Sequence, residues 1–255
     1  ILQIERESRA PIEWDWTRKL ICIYGIAVGM LFLHSNNIIH RDLKPDNILI
    51  DEFFFPKISD FGLSKMSESN RKSIFKSSSF NIKGTPIYIS PEIWKKGEYS
   101  KPGDVYSFGF IVYEIVTGDK PYSNFNIYEL ISKVGNKSRP EFKKQIPHLY
   151  RKLIEDCWAE KASDRPTFIE IVLRLREDDG FITDSVDQKL FYKYINYINS
   201  FEKEYNSSKN VIYNNDLLQM FNQVAYLYQS DNKVLNLVKD CSIKICPIDI
   251  YKDFN

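Results

Sequence analysis

The chain has 255 residues, 43% of them hydrophobic, which is enough apolar material for one sizeable core and argues against a disordered polypeptide. Its 35 lysines and arginines nearly balance 34 aspartates and glutamates, so no net field draws the molecule to nucleic acid or to an anionic membrane surface. Partners are therefore expected to be chosen by a local site.

The four cysteines, Cys22, Cys157, Cys241 and Cys246, match neither a zinc ribbon nor a redox pair. They read as structural thiols of a reducing compartment, and a cytoplasmic location is the expectation. The longest apolar stretch, residues 20–33, is interrupted and shorter than the roughly 20 apolar residues that cross a bilayer, so no membrane span is expected. The chain begins at Ile1 rather than Met, so it says nothing about a leader.

Leu20, Ile21, Tyr24, Ala27, Val28, Leu31 and Leu33 recur at helical spacing and predict a largely buried helix, capped at Thr17 and ending near His34. Residues 38–50, "IIHRDLKPDNILI", then place a dense polar loop between apolar runs. Ile48–Ile50 and Pro56–Ser59 suit two short strands joined in a hairpin through residues 51–55, and "DFG" at residues 60–62 leaves the second strand. Residues 64–85 are rich in serine and lysine with little periodicity and read as a long loop. Val105, Phe108, Ile111, Val112 and Ile115 predict a central apolar helix ending near Gly118. Leu153, Ile154, Cys157 and Trp158 predict another, and residues 167–176 close the helical body. Beyond about residue 185 the composition turns to Asn, Tyr, Lys and Ser, with helical spacing over 191–205 and again over 217–224. This extension reads either as a helical appendage packed on the body or as a partner surface.

Two carboxylates and an amide, Asp42, Asn47 and Asp60, can converge across the loop and hairpin on one hard-cation site, and Asn47 and Asp60 suit magnesium beside substrate phosphates. Asp42 can orient a hydroxyl while Lys44, two residues on, neutralises charge on a transferring phosphoryl group.

"HRDLKPDN" at 40–47, "DFG" at 60–62 and "SPE" at 90–92 closely resemble the catalytic loop, magnesium loop and activation-segment end of eukaryotic protein kinases. "GDVYSFGFIVYEIVTGDKPY" at 103–122 and "SDRPTF" at 163–168 extend the resemblance over residues 1 to about 180 and lean towards the tyrosine-kinase-like group. The resemblance implies ATP and Mg2+ as cofactors and protein substrates. It implies Asp42 as catalytic base, Lys44 as a contact to the terminal phosphate, and Asn47 and Asp60 as magnesium ligands. Leu49 would touch adenine, although a strand leucine is equally a core residue. Asp104 would cap the backbone of the catalytic loop, which also carries His40, from a buried helix, and Arg165 would pair with Glu92. Gly62 would give the backbone freedom that lets Asp60 swing, next to Phe61 of the same motif. Lys44 and Thr85, beneath the acceptor hydroxyl, point to serine or threonine as acceptor. Arg41 resembles the arginine that pairs with a phosphate on the long loop, with Ser77, Ser78 and Ser79 preferred and Ser73 a further candidate.

No G-x-G-x-x-G occurs in the chain, and only 39 residues precede His40. The expected fold is therefore mainly α with short β hairpins: a kinase-like C-terminal lobe over residues 1–184 lacking the N-terminal β lobe, plus a helical extension over 185–255. Two functions follow as expectations: a serine/threonine kinase whose chain is inactive as this lobe alone, or a non-catalytic lobe remnant that binds or scaffolds other proteins.

Overall fold

The computed structural model describes residues 1–60, 65–66, 86–123 and 125–206. The helix expected over 217–224 and the candidate residues Phe61, Gly62, Ser73, Ser77, Ser78, Ser79 and Thr85 lie outside them, as do Cys241 and Cys246.

Two buried helices form the centre. Helix α2 (Trp16–Ser35) follows a short helix α1 (Leu2–Arg6), and every residue from Leu20 to His34 is buried. Its cap is Asp15, whose carboxylate accepts the Arg18 N–H at 2.9 Å. The expected cap, Thr17, is instead inside the first turn and buried; its hydroxyl accepts the N–H of Asp187 at 2.9 Å. At 20 residues α2 is longer than its apolar run suggested and would span a bilayer by length and composition, but 89% of that stretch is buried against protein. Helix α4 (Lys101–Thr117) is buried from Gly103 to Thr117 and stops at Gly118, whose φ of 73° is the left-handed conformation that lets a glycine end a helix.

Helices buried on all sides need neighbours on all sides. Among the described residues, α6 (His148–Cys157) packs on α4, and α7 (Phe168–Glu177) packs on α2. Helix α3 (Pro91–Lys96) and helix α5 (Ile127–Gly135), the latter opened by an Asn126–Glu129 capping box, lie between them in sequence. Cys22 and Cys157 are free and buried in this core, where desolvation pushes the Cys22 thiol up to about 12 and leaves neither reactive.

The strands are few and short. Strands β2 (Ile48–Ile50) and β3 (Pro56–Ile58) pair antiparallel with Ile48 opposite Ile58, which is the expected hairpin. Strand β1 (Ile38–Ile39) pairs with β4 (Lys65–Met66), bracketing the polar loop. Helix α8 (Gln188–Asn206) covers the helix expected over 191–205, and it packs on α2. Phe191, Tyr194, Ile195 and Ile198 belong to the same buried core as α2 and α4.

Candidate active site

The polar loop between β1 and β2 is organised by one buried carboxylate. Asp104, in the first turn of α4, accepts the His40 N–H at 2.9 Å, the Arg41 N–H at 3.0 Å and the His34 Nε2 at 2.9 Å. Arg41 needs that help, because its φ of 73° lies in the left-handed region, which costs an L-residue about 1–2 kcal/mol. Its guanidinium sits 5.2 Å over the Tyr99 ring.

His40 links the loop to the hairpin. Its Nε2 lies 3.1 Å from the Ser59 carbonyl, which only accepts, and its Nδ1 lies 3.3 Å from the Asp42 N–H, which only donates. Geometry therefore sets a neutral imidazole with the proton on Nε2. Burial lowers its pKa, which favours the same form. Ser59 then grips the Asn47 carbonyl twice, through its N–H at 2.8 Å and its hydroxyl at 3.1 Å. Asp60 follows Ser59 directly, exposed and with φ at 60°.

Three of the expected site residues meet at Asp42. Its Oδ2 lies 2.8 Å from Lys44 Nζ and 3.2 Å from Asn47 Nδ2, and Asn47 Nδ2 also donates to the Asp42 carbonyl at 2.7 Å. Those two bonds orient the Asn47 amide so that Oδ1 faces away from Asp42. The Asn47 amide oxygen, which those bonds leave unused, and the exposed Asp60 carboxylate are hard oxygen donors of the kind magnesium takes and shares with phosphates. Among the described residues, no cluster of three His, Cys, Asp or Glu side chains suits a transition metal. Leu49, on β2, is 45% exposed, so it is an edge residue rather than a core one.

A second layer holds the end of the segment that returns to the body. Arg165 is completely buried at its side chain and forks onto Glu92 at 2.7 and 2.9 Å, while also bonding the carbonyls of Ala159 and Pro102 at 2.9 Å each. Tyr88 donates to the buried Glu114 carboxylate at 2.5 Å, and Arg6 of α1 pairs with the same group. Burial raises the Glu114 carboxyl and the Tyr88 phenol above their ordinary values.

Burial alone would raise the Glu92 carboxyl, but the hydrogen bonds and charge of Arg165 outweigh it and hold it below its ordinary value. A depressed carboxyl stabilises the fold above the unfolded value, roughly 4.3, and that stabilisation disappears as pH falls through the folded one. Arg165→Leu is expected to cost about 3–5 kcal/mol at neutral pH, because it strands a half-buried carboxylate and two part-buried carbonyls. In urea titrations the gap to the parent chain is expected to narrow from about pH 7 to about pH 3; a constant gap would show that the charge pairing contributes nothing.

The structure thus brings His40, Arg41, Asp42, Lys44, Asn47 and Asp104 together around one loop and pairs Glu92 with Arg165. Sequence reasoning missed His34, Ser59, Tyr88, Tyr99 and Glu114. His34 sits one turn of sequence before the loop at the end of a predicted helix, where the local sequence marks only a terminus.

With this geometry in place, comparison with known proteins is direct. The sequence model of the family described as "Protein tyrosine and serine/threonine kinase" matches residues 6–175. R831 of Acanthamoeba polyphaga mimivirus, whose name carries serine/threonine-protein kinase/receptor, is 37% identical over 181 residues, covering 70% of this chain and 10% of that protein. The Dictyostelium discoideum protein drkC, named a probable serine/threonine-protein kinase, is 39% identical over 167 residues, 64% of this chain and 22% of its own length. The serine/threonine-protein kinase CTR1 of Arabidopsis thaliana is 35% identical over 179 residues, 69% of this chain and 21% of its own. The chain therefore spans between a tenth and about a fifth of the length of these relatives. The family match covers both buried helices, the loop gathered at Asp42 and the Glu92–Arg165 pair, and on that ground the chain belongs to the protein tyrosine and serine/threonine kinase family.

Proposed function

We propose that the protein transfers a phosphoryl group from ATP to serine or threonine hydroxyls of protein substrates. One juxtaposition carries this reading: Asp42 Oδ2 lies within 2.8 Å of Lys44 Nζ and 3.2 Å of Asn47 Nδ2, on a loop whose backbone Asp104 pins. Asp42 takes the proton of the acceptor hydroxyl as its oxygen bonds to the terminal phosphorus and the bond to the ADP oxygen breaks. Lys44, already held beside Asp42, meets the charge of the phosphoryl group, and positioning does most of the work. Asn47 and Asp60 would hold Mg2+, which when bound would neutralise phosphate charge. Leu49 offers its exposed side chain to adenine. Arg41 receives a phosphate placed on the long loop, at Ser77, Ser78 or Ser79.

The serine/threonine assignment rests on Lys44, with Thr85 beneath the acceptor, as the family resemblance implies. The 255 residues taken alone are proposed to bind ATP weakly and to transfer phosphate negligibly, because they contain no glycine-rich loop to cover the phosphates and exclude water. The second reading, a lobe that docks other proteins without chemistry, is separated from the first by what the coding sequence upstream of Ile1 encodes.

The test is phosphate transfer from ATP and magnesium to matched peptides bearing serine, threonine or tyrosine, using the chain expressed with whatever coding sequence lies in frame upstream of Ile1. Serine and threonine peptides are expected to exceed tyrosine by about tenfold or more in kcat/KM. Preference for tyrosine would overturn the acceptor assignment. An upstream stop codon, together with absent transfer, would favour the scaffold.

A further inference from the structure

The β2–β3 hairpin has three paired residues per strand, too few to hold its own shape in water. Its turn is closed by Asp51, whose carboxylate accepts the N–H groups of Phe53 at 3.0 Å and Phe55 at 2.9 Å. Three successive phenylalanines project from that turn, and elements from opposite ends of the described chain grip two of them. Phe54 meets Trp14 at 6.0 Å and the Arg18 guanidinium at 5.8 Å. Phe55 meets Tyr194 at 4.6 Å and Tyr197 at 5.7 Å, both on α8.

Tyr194 is only 1% exposed, and the fit around it is tight. A methyl group at Gly25 of α2 would come within 2.4 Å of the Tyr194 hydroxyl and 2.6 Å of Pro56 Cγ, so the bare glycine is the notch that receives both. Phe191, one turn earlier, meets Tyr24 edge-on at 5.6 Å. The start of α8 is fixed by the Asp187 N–H donating to Thr17.

We propose that α8 is a latch on the hairpin, with Tyr194 as a positioning residue for Asn47 and Leu49. The helix begins after residue 175, where the family match ends, so a segment outside that match sets the floor of the nucleotide site. The path is short. Tyr194 packs on Phe55 and seats its hydroxyl in the Gly25 notch beside which Pro56 lies, Pro56 opens β3, and Ser59 just after β3 grips the Asn47 carbonyl through two hydrogen bonds. Leu49 lies opposite Lys57 in the same ladder. The inference takes the roles of Asn47 and Leu49 from the proposed function, but the latch itself is a property of the fold and is tested without nucleotide.

Hydrogen–deuterium exchange of the chain compares the parent with Tyr194→Ala, Tyr194→Phe and Gly25→Ala. Tyr194→Ala and Gly25→Ala are expected to speed exchange at the Asp51 and Ser59 amides, which bond across the hairpin to the Phe55 and Asn47 carbonyls, by about tenfold or more, while amides of α4 and α6 keep their rates. Tyr194→Phe keeps the ring and is expected to keep the protection. Should Tyr194→Ala fail to fold, Gly25→Ala, which removes no side chain, carries the test. Equal acceleration across α4, α6 and the hairpin would reduce α8 to general stability and overturn the latch, as would unchanged hairpin exchange in Gly25→Ala. Failure of phosphate transfer would leave these rates as they are, so the two readings fall separately.

Discussion

Asp42→Asn is expected to lower phosphate transfer by about 10²–10⁴-fold while the chain stays folded. The substitution changes almost no volume and keeps an oxygen that can accept from Lys44 at the 2.8 Å position. What it removes is the capacity to take a proton. Stability is expected to change by about 1 kcal/mol or less, the net worth of one hydrogen bond, because the pinning bonds run from His40 and Arg41 to Asp104 and do not involve the Asp42 side chain. Asp60→Asn is expected to depress transfer through another route, by removing charge from the proposed magnesium site, and raising the magnesium concentration is expected to recover part of it. Initial rates at saturating peptide, with denaturation curves alongside, separate these outcomes. Near-normal transfer by Asp42→Asn would refute its role as base.

Asp104→Ala carries the largest expected loss of stability. Three donors converge on that carboxylate in the protein interior, the amides of His40 and Arg41 and the ring of His34, and none has an alternative acceptor supplied by alanine. Removing one side of a buried charged network costs about 3–5 kcal/mol. The left-handed backbone at Arg41 is then held by less, so the loop is expected to relax and phosphate transfer to fall as well. Asp104→Asn is expected to be milder, since its amide oxygen still accepts, although its NH₂ then faces a donor. Urea midpoints order the three proteins, and a loss below about 1 kcal/mol for the alanine variant would show that the carboxylate is dispensable.

How much of this was legible depends on how local each cause is. The long helices announced themselves, because Leu20 to Leu33 and Val105 to Ile115 are apolar beyond any surface helix, and Gly118 marks a stop by its backbone alone. The hairpin was readable for the same reason. The helix cap was misread by two residues because Asp15 and Thr17 are both good caps, and the choice fell to Thr17 being needed for Asp187, 170 residues away. That Asp42, Lys44 and Asn47 lie together could be expected from the spacing and resemblance of "HRDLKPDN", but their supports could not. His34 meets Asp104 across 70 positions, and Tyr88 meets Glu114 across 26, and such pairings have no signature in either local stretch. Helix α5 was legible and went unread, since apolar residues at 127, 130, 131 and 134 follow the Asn126 capping box at helical spacing, whereas the two-residue strands β1 and β4 are too short to leave a periodicity.

The tight seating of α8 also decides where the chain can be cut. The family match stops at residue 175, yet Phe181, Val186, Phe191, Tyr194, Ile195 and Ile198 all belong to the buried core. A protein ended at the family boundary would present Tyr24, the Gly25 notch and Phe55 to water as a contiguous apolar and aromatic patch. Surfaces of that kind drive self-association, so its first symptom would be precipitation during expression rather than a measurable change in rate.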